Sequence, residues 1–161
     1  MIIFSTTAFI PRATREQVTD FFINCTVPQY QKWWPGVHLE LYTIKRTQEV
    51  AGSIVYFDEY VGSRRLKFRS RITKYERGRI IEYQMIKGWP LPAWLTMEFS
   101  DGGNGVAVVH TLKAGYTGMG MLWDNFLKLY LSRSFEEDLR QHAEEEFLRL
   151  GNMLAEEKQK E

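Results

Sequence analysis

Apolar and polar residues alternate with a period of two through most of residues 37–115, which is typical of strands buried on one face only. Six strands are predicted in this region: 38–46, 53–62, 64–75, 79–87, 94–100 and 106–114. Their connections are too short for parallel crossovers, so the strands should pair as antiparallel hairpins. An apolar segment rich in β-branched residues at 2–10 predicts a seventh strand.

The strand predicted at 64–75 shows the alternation most clearly. Its two faces carry Leu66, Phe68, Ser70 and Ile72 on one side and a basic stripe on the other, formed by Arg65, Lys67, Arg69 and Arg71. A tight turn after this strand would pair Tyr75 with Ile80. The same register places Tyr83 and Met85 on the face of Phe68. The basic stripe is expected on the solvent side, with contact to anionic headgroups or an acidic partner as its alternative use.

Helical spacing is found at both ends of the chain. Thr14 and Gln17 fit a capping box for one short helix. Pro28 suits the first turn of a second short helix that runs toward Trp33. Apolar residues at three- and four-residue steps then predict a long C-terminal helix over 121–157.

This order of elements predicts a single α+β domain over residues 1–161. We expect a curved, seven-stranded antiparallel sheet, with the two short helices and the long C-terminal helix packed on its concave face. Such a twisted sheet leaves a wedge beside the long helix, and concave apolar spaces are where small ligands bind.

Charge and cysteine content limit which partners the protein can be expected to bind and in which cellular compartment it is expected. The net charge of +1 gives no global field for nucleic acid, so we expect no nucleic-acid partner. Cys25 is the single cysteine, which excludes an internal disulfide and favours a reducing compartment. The chain shows no leader pattern and no apolar run of the ~20 residues that a transmembrane segment needs. A cytoplasmic protein is therefore expected.

Residues 30–37, Tyr-Gln-Lys-Trp-Trp-Pro-Gly-Val, resemble the segment that closes the second helix in START-like proteins. These form the SRPBCC superfamily of polyketide cyclase/dehydrase and lipid-transport proteins. Gly52 before the third strand, the turn at 101–105 and the long terminal helix fit the same pattern. The resemblance implies a helix-grip fold with a deep apolar cavity. It implies no single activity, because members include lipid carriers, cyclases, hormone receptors and chaperone activators.

The aromatic content of 14% supplies many candidates for the wall of such a cavity. We expect a hydrophobic ligand, such as a lipid, isoprenoid or aromatic compound, and no cofactor. Ser70, Tyr83 and His110 are the polar candidates for orienting it; for each aromatic residue the alternative is a place in the core. The full set of predicted ligand-binding residues is Trp33, Trp34, Phe57, Phe68, Ser70, Tyr83, Met85, Trp94, His110, Met121, Trp123, Phe126 and Tyr130.

Two other functions stay open at this point. One is a cyclase or dehydratase-like enzyme with an acid/base pair in the same cavity. A carboxylate for such a pair is available, because Asp58 and Glu59 are adjacent on a strand and one of them should face inward. The other function is that of a chaperone-activator-like interaction module that uses the basic stripe or an apolar patch. A homodimer through an edge strand or through the stretch around Trp123 is a further alternative.

The local motifs give little support for a metal-binding site or for a nucleophilic cysteine. The three histidines His38, His110 and His142 show no His-x-x-x-His spacing, and one cysteine cannot form a Cys-x-x-Cys pair. No metal site is therefore expected, and Cys25 is interpreted as a small apolar filler.

Overall fold

The observed elements follow the predicted order. The computed structural model of the chain describes residues 1–115 and 132–159. In chain order its elements are β1 (Ile2–Pro11), α1 (Arg15–Asn24), α2 (Val27–Trp33), β2 (His38–Lys45), β3 (Ile54–Val61), β4 (Arg64–Glu76), β5 (Ile80–Ile86), β6 (Pro90–Asp101), β7 (Gly105–Ala114) and α3 (Arg133–Lys158).

The seven strands form one antiparallel sheet in the order β1-β7-β6-β5-β4-β3-β2. Strand β1 crosses to the far edge beside β7, so β1 and β2 are the two edges. The core joins residues of α1, α2 and α3 to one face of the sheet, which we call the helix face; the opposite side is the outer face. The predicted α+β architecture is thereby confirmed.

The predicted pairing of β4 with β5 is right in its centre and wrong at its end. Ser70 pairs with Met85 and Ile72 with Tyr83, as the alternation predicts. Tyr75, however, pairs with Ile81 and not with Ile80, because a bulge between Ile72 and Lys74 adds one residue to β4. The bulge bends the strand without changing the helix-face assignment of Tyr83 and Met85.

Side-chain caps fix where the helices begin. Thr14 forms the predicted capping box with Gln17, and Thr26 forms a second one that the sequence interpretation did not identify. The prediction of one helix over 121–157 is wrong at Ser132, and its part over 121–131 lies outside the described residues. Ser132 has an extended backbone, and its hydroxyl accepts a hydrogen bond from the Phe135 amide, so α3 begins only at Arg133.

Helix α3 continues through Gly151, where it crosses β1 at close range. A Cβ atom on Gly151 would lie 2.5 Å from the carbonyl oxygen and 2.7 Å from the nitrogen of Pro11. Only glycine permits this approach of helix backbone to strand backbone. The crossing holds α3 over the buried helix-face residues Ile10 and Val106.

Replacing Gly151 by alanine should lower the free energy of unfolding by about 1 kcal/mol, measured by urea denaturation. Overpacking costs about 1–3 kcal/mol, and the better helix propensity of alanine offsets about 1 kcal/mol of it. Glu156→Ala, on the exposed side of the same helix, is the control and should leave stability nearly unchanged. A stabilised Gly151→Ala protein would contradict the close crossing.

Candidate functional site

An apolar surface occupies the part of the helix face that is not fully buried. We call it the apolar floor; its half-buried members are Phe4, Leu66, Phe68, Met85 and Leu95. Helix α3 contributes Phe135, which is buried, and Leu139, which is half-buried, to the cluster of Phe4, Leu66 and Met85, while Phe68 and Leu95 pack against the main core. By contrast, Ile10, Val106 and Val108 on the same face are fully buried. The floor thus lies at the end of the sheet where α3 begins.

The floor is continuous from strand to strand. Phe4 pairs with Leu112 across β1 and β7, and Leu112 pairs with Leu95 across β7 and β6. Leu95 pairs in turn with Tyr83 of β5, and beyond it the rings of Phe57 on β3 and Phe68 on β4 stack with centroids 5.0 Å apart. Cross-strand pairs of this kind keep large apolar side chains in fixed positions on one face.

Ser70 adds a polar group to this surface. It lies on the helix face between Val55 of β3 and Met85 of β5, and its side chain is almost fully buried. Among the residues that the structure describes, its Oγ has no hydrogen-bond partner. A buried hydroxyl without a partner is costly, so this group is available to a polar atom of a ligand.

A second site lies at the β2–β3 end of the helix face, and its members are polar. His38 begins β2 and pairs with Glu59 of β3, while His142 and Glu146 lie one turn apart on α3. The His38 Nε2 atom is 3.5 Å from Oε1 of Glu146 and 4.0 Å from Oε2 of Glu59. The His142 Nε2 atom is 3.8 Å from Oε2 of Glu146. We call these four residues the His–Glu cluster.

Aromatic side chains hold the cluster in place. The Tyr30 ring stacks on His38 with centroids 4.1 Å apart, and its hydroxyl donates a hydrogen bond to Glu59. The Trp34 ring stacks on His142 at 4.8 Å. A cleft of about 190 Å³, lined in part by Trp34, His142 and Tyr60, lies beside the cluster and gives it an opening to solvent.

Burial dominates the electrostatics of the cluster. It lowers the pKa of His38 to about 4, against the opposing effect of Glu59. It raises the pKa of Glu59 to about 7, to which the nearby Glu146 adds by repulsion. It also raises the pKa of Glu146 to about 7, against the effect of His142. Each group is therefore poorly solvated in its charged form.

The adjacent carboxylates Asp58 and Glu59 point to opposite faces, as alternation requires. Glu59 is the inward one, in the His–Glu cluster. Asp58 lies on the outer face, where Nε and Nη2 of Arg65 donate to its two oxygens at 2.9 Å and Nζ of Lys67 lies 3.5 Å away. The hydrogen bonds from Arg65 hold the pKa of Asp58 below its usual range. Half of the basic stripe is thus engaged with one carboxylate of the chain.

The predicted ligand-binding residues fall into separate groups. Phe57, Phe68, Ser70, Tyr83 and Met85 come together on the helix face, and His110 lies on the same face beneath Phe147 of α3. Trp33 and Trp34 lie at the end of α2 near the His–Glu cluster. Trp94 lies on the outer face, paired with Gln84 and Lys113. Four others lie outside the described residues: Met121, Trp123, Phe126 and Tyr130.

Sequence reasoning missed the His–Glu cluster because its members come from three distant segments. The one local signal is His142-x-x-x-Glu146, a four-residue step that puts both side chains on one helix face. The pairing of His38 with Glu59 spans a strand connection and shows no motif. A search for paired histidines therefore passes over it.

Comparisons with known proteins identify the fold. No protein-family model matches the chain, and no curated protein does. Solved structures match it over nearly its whole length. Ara h 8.0201 gives a TM-score of 0.64 at 8% identity, covering 96% of this chain and 98% of that one. The major latex-like protein 151 of Panax ginseng gives 0.56 at 12% identity, over 88% and 96%. The Polyketide_cyc-like protein Cgl2372 of Corynebacterium glutamicum gives 0.50 at 16%, over 96% and 92%.

The chain therefore shares the helix-grip fold of these solved structures, as the Trp-Trp-Pro-Gly segment indicates. Identities this low show the fold alone, and the function must be argued from the site. No helix within residues 1–115 and 132–159 combines the length and the apolar character that crossing a membrane requires.

Proposed function

We propose that this protein binds a hydrophobic small molecule, such as a lipid, isoprenoid or aromatic compound, over the apolar floor. The observation that carries the proposal is the continuous set of half-buried apolar side chains on the helix face. Solvent contact at so many apolar side chains on a face otherwise sealed by helices is unfavourable. A ligand that covers them gains about 25 cal/mol per Å² of apolar area, before the cost of association.

The orientation of the ligand depends on the few polar groups at the floor. The Ser70 hydroxyl can donate one hydrogen bond to a carbonyl or hydroxyl oxygen of the ligand, because it has no partner in the described part of the chain. Tyr83 lies beside Phe57, with ring centroids 5.5 Å apart in an edge-on arrangement. Burial raises the pKa of Tyr83 well above its ordinary value, so its hydroxyl stays neutral. These groups favour an uncharged ligand with one polar end.

Replacing Phe68 by alanine should weaken binding of a hydrophobic probe about 10-fold, because it removes the ring that stacks on Phe57 and covers the β4 side of the floor. The probe is the uncharged N-phenyl-1-naphthylamine, followed by fluorescence and displaced in turn by monoolein, farnesol and naringenin. Displacement by one of the three would also give the class of ligand.

Trp94→Ala is the matched control, since it removes a half-buried aromatic ring from the outer face of the same sheet. Circular dichroism and thermal unfolding confirm that both variants are folded. Equal affinities of wild type and Phe68→Ala, or a larger loss in Trp94→Ala, would refute the placement of the ligand on the floor.

A further inference from the structure

The two histidines of the His–Glu cluster have buried ring nitrogens without hydrogen-bond partners in the part of the chain that the structure describes. Neither ring nitrogen of His38 has a hydrogen-bond partner among the described residues, and neither does Nε2 of His142. The His38 side chain is 0% exposed, so water cannot supply the missing bonds from bulk solvent. Buried imidazole nitrogens without partners are rare in folded proteins, and each costs free energy.

The two carboxylates of the cluster lack a positive partner of their own. Glu59 accepts a hydrogen bond from Tyr30, and within residues 1–115 and 132–159 no lysine or arginine forms an ion pair with Glu59 or Glu146. Arg149, one turn further along α3, instead pairs with Glu145 at 2.6 Å. Two buried carboxylates beside each other repel unless a cation or a proton lies between them.

One divalent cation would satisfy both needs at once. It accepts lone pairs from imidazole nitrogens, and its charge of +2 balances two carboxylates. One ligand atom from each of the four side chains can be chosen so that all four lie within 4.8 Å of one another. A tetrahedral site with bonds of about 2.1 Å needs ligand atoms about 3.4 Å apart. The separation of 3.5 Å between His38 and Glu146 already meets this requirement, and the others need small side-chain shifts.

The surroundings are those of a metal site in two further respects. Tyr30 holds Glu59 by a hydrogen bond and His38 by stacking, which fixes the orientation of two ligands as outer-shell partners do. The cleft beside His142 provides a path by which an ion can enter. The donor set of imidazole and carboxylate, without thiolate, suits Zn²⁺, Fe²⁺ or Mn²⁺ more than Cu⁺.

We propose that His38, Glu59, His142 and Glu146 bind one divalent transition-metal ion of the Zn²⁺ class, which joins helix α3 to strands β2 and β3. The site is separate in chemistry from the apolar floor, so this proposal goes beyond ligand binding and stands independently of it. Glu59 pairs with Leu66 of the floor, which places the metal at the border of the ligand surface.

Titration of the chelator-treated full chain with Zn²⁺, followed by isothermal calorimetry, tests the proposal. We expect one equivalent to bind with a micromolar or lower dissociation constant and the melting temperature to rise. Glu146→Gln and His142→Gln should each weaken binding about 100-fold, since each removes a metal ligand. Glu144→Gln is the matched control, because this carboxylate lies on the same helix but is exposed and paired with Arg140. No saturable binding, or equal binding by Glu146→Gln and Glu144→Gln, overturns the proposal.

A measurement on the unaltered protein guards against variants that fail to fold. The chain has three histidines, and two of them belong to the cluster. On addition of one equivalent of Zn²⁺, the ring ¹⁵N resonances of His38 and His142 should shift as coordinated imidazoles do. The ring of His110 should keep the pattern of a free neutral imidazole. Unchanged resonances of His38 and His142, or coordination at His110 in their place, would refute the site.

Discussion

Replacing Trp33 by alanine is expected to lower the free energy of unfolding by about 4 kcal/mol while leaving probe affinity of the folded protein nearly unchanged. The Trp33 side chain is 2% exposed and meets the rings of Phe21, Phe22 and Tyr30 at centroid distances of 5.5–5.8 Å. Its Nε1 donates a 2.7 Å hydrogen bond to the carbonyl of Glu146 on α3. The side chain therefore joins α1, α2 and α3, and its one polar atom is already bonded within the chain.

Two variants separate the contributions of packing and hydrogen bonding at Trp33, all measured by urea denaturation. Trp33→Phe keeps most of the ring contacts and loses the bond to Glu146, so it should cost about 1–2 kcal/mol. Trp34→Ala, at the half-buried neighbouring position, should cost about 1 kcal/mol through loss of its stacking on His142 and its contact with Arg149. A Trp33→Ala protein of normal stability that no longer binds the probe would instead make Trp33 part of the ligand surface, as the sequence predicts.

The fold could be predicted because its signals are local. Alternation over strand β4, the short turns and the Thr14 cap each depend on neighbouring residues. The helix boundary at Ser132 is a different case, since apolar residues on both sides continue the helical spacing. Only the backbone of Ser132 shows that α3 begins there.

The face on which each aromatic residue lies depends on register, and register is not local. Tyr83 pairs with Leu95, which puts Leu95 on the helix face and its neighbour Trp94 on the outer face. A register shift between Gln84 and Ile86 changes the pairing beyond that point. Composition identifies Trp94 as a candidate, but only the strand pairing assigns its side.

The apolar floor and the His–Glu cluster also differ in how far the sequence alone predicts them. The apolar floor could be predicted in part, because Phe68, Ser70 and Met85 follow from alternation on two paired strands. The His–Glu cluster could not, because it needs strand β3 beside β2 and helix α3 above both. Long-range packing of this kind brings Glu59 close to Glu146, although no recognisable motif relates the two positions in the sequence.

Acid should destabilise the protein through His110, and the size of the effect follows from its burial. His110 is 7% exposed beneath Phe147, with ring centroids 5.9 Å apart. Burial, with a smaller effect from His142, lowers the pKa of His110 from its ordinary 6.5 to about 4. Above the ordinary value both folded and unfolded chains carry a neutral ring. As the pH falls below it, the unfolded chain takes up a proton that the folded chain refuses until about pH 4, so stability is lost.

Between about pH 7 and pH 5, the free energy of unfolding of the wild-type protein should fall by about 2 kcal/mol more than that of a His110→Leu variant. Urea denaturation of both proteins at about pH 7 and pH 5, with chelator present, gives the difference. The other titrating groups, among them His38, His142, Glu59 and Glu146, occur in both proteins and largely cancel. Parallel stability curves would mean that folded His110 binds a proton as readily as a free imidazole. The predicted neutral ring, by contrast, can exchange hydrogen bonds with a ligand on the helix face but carries no charge to bind an anionic one.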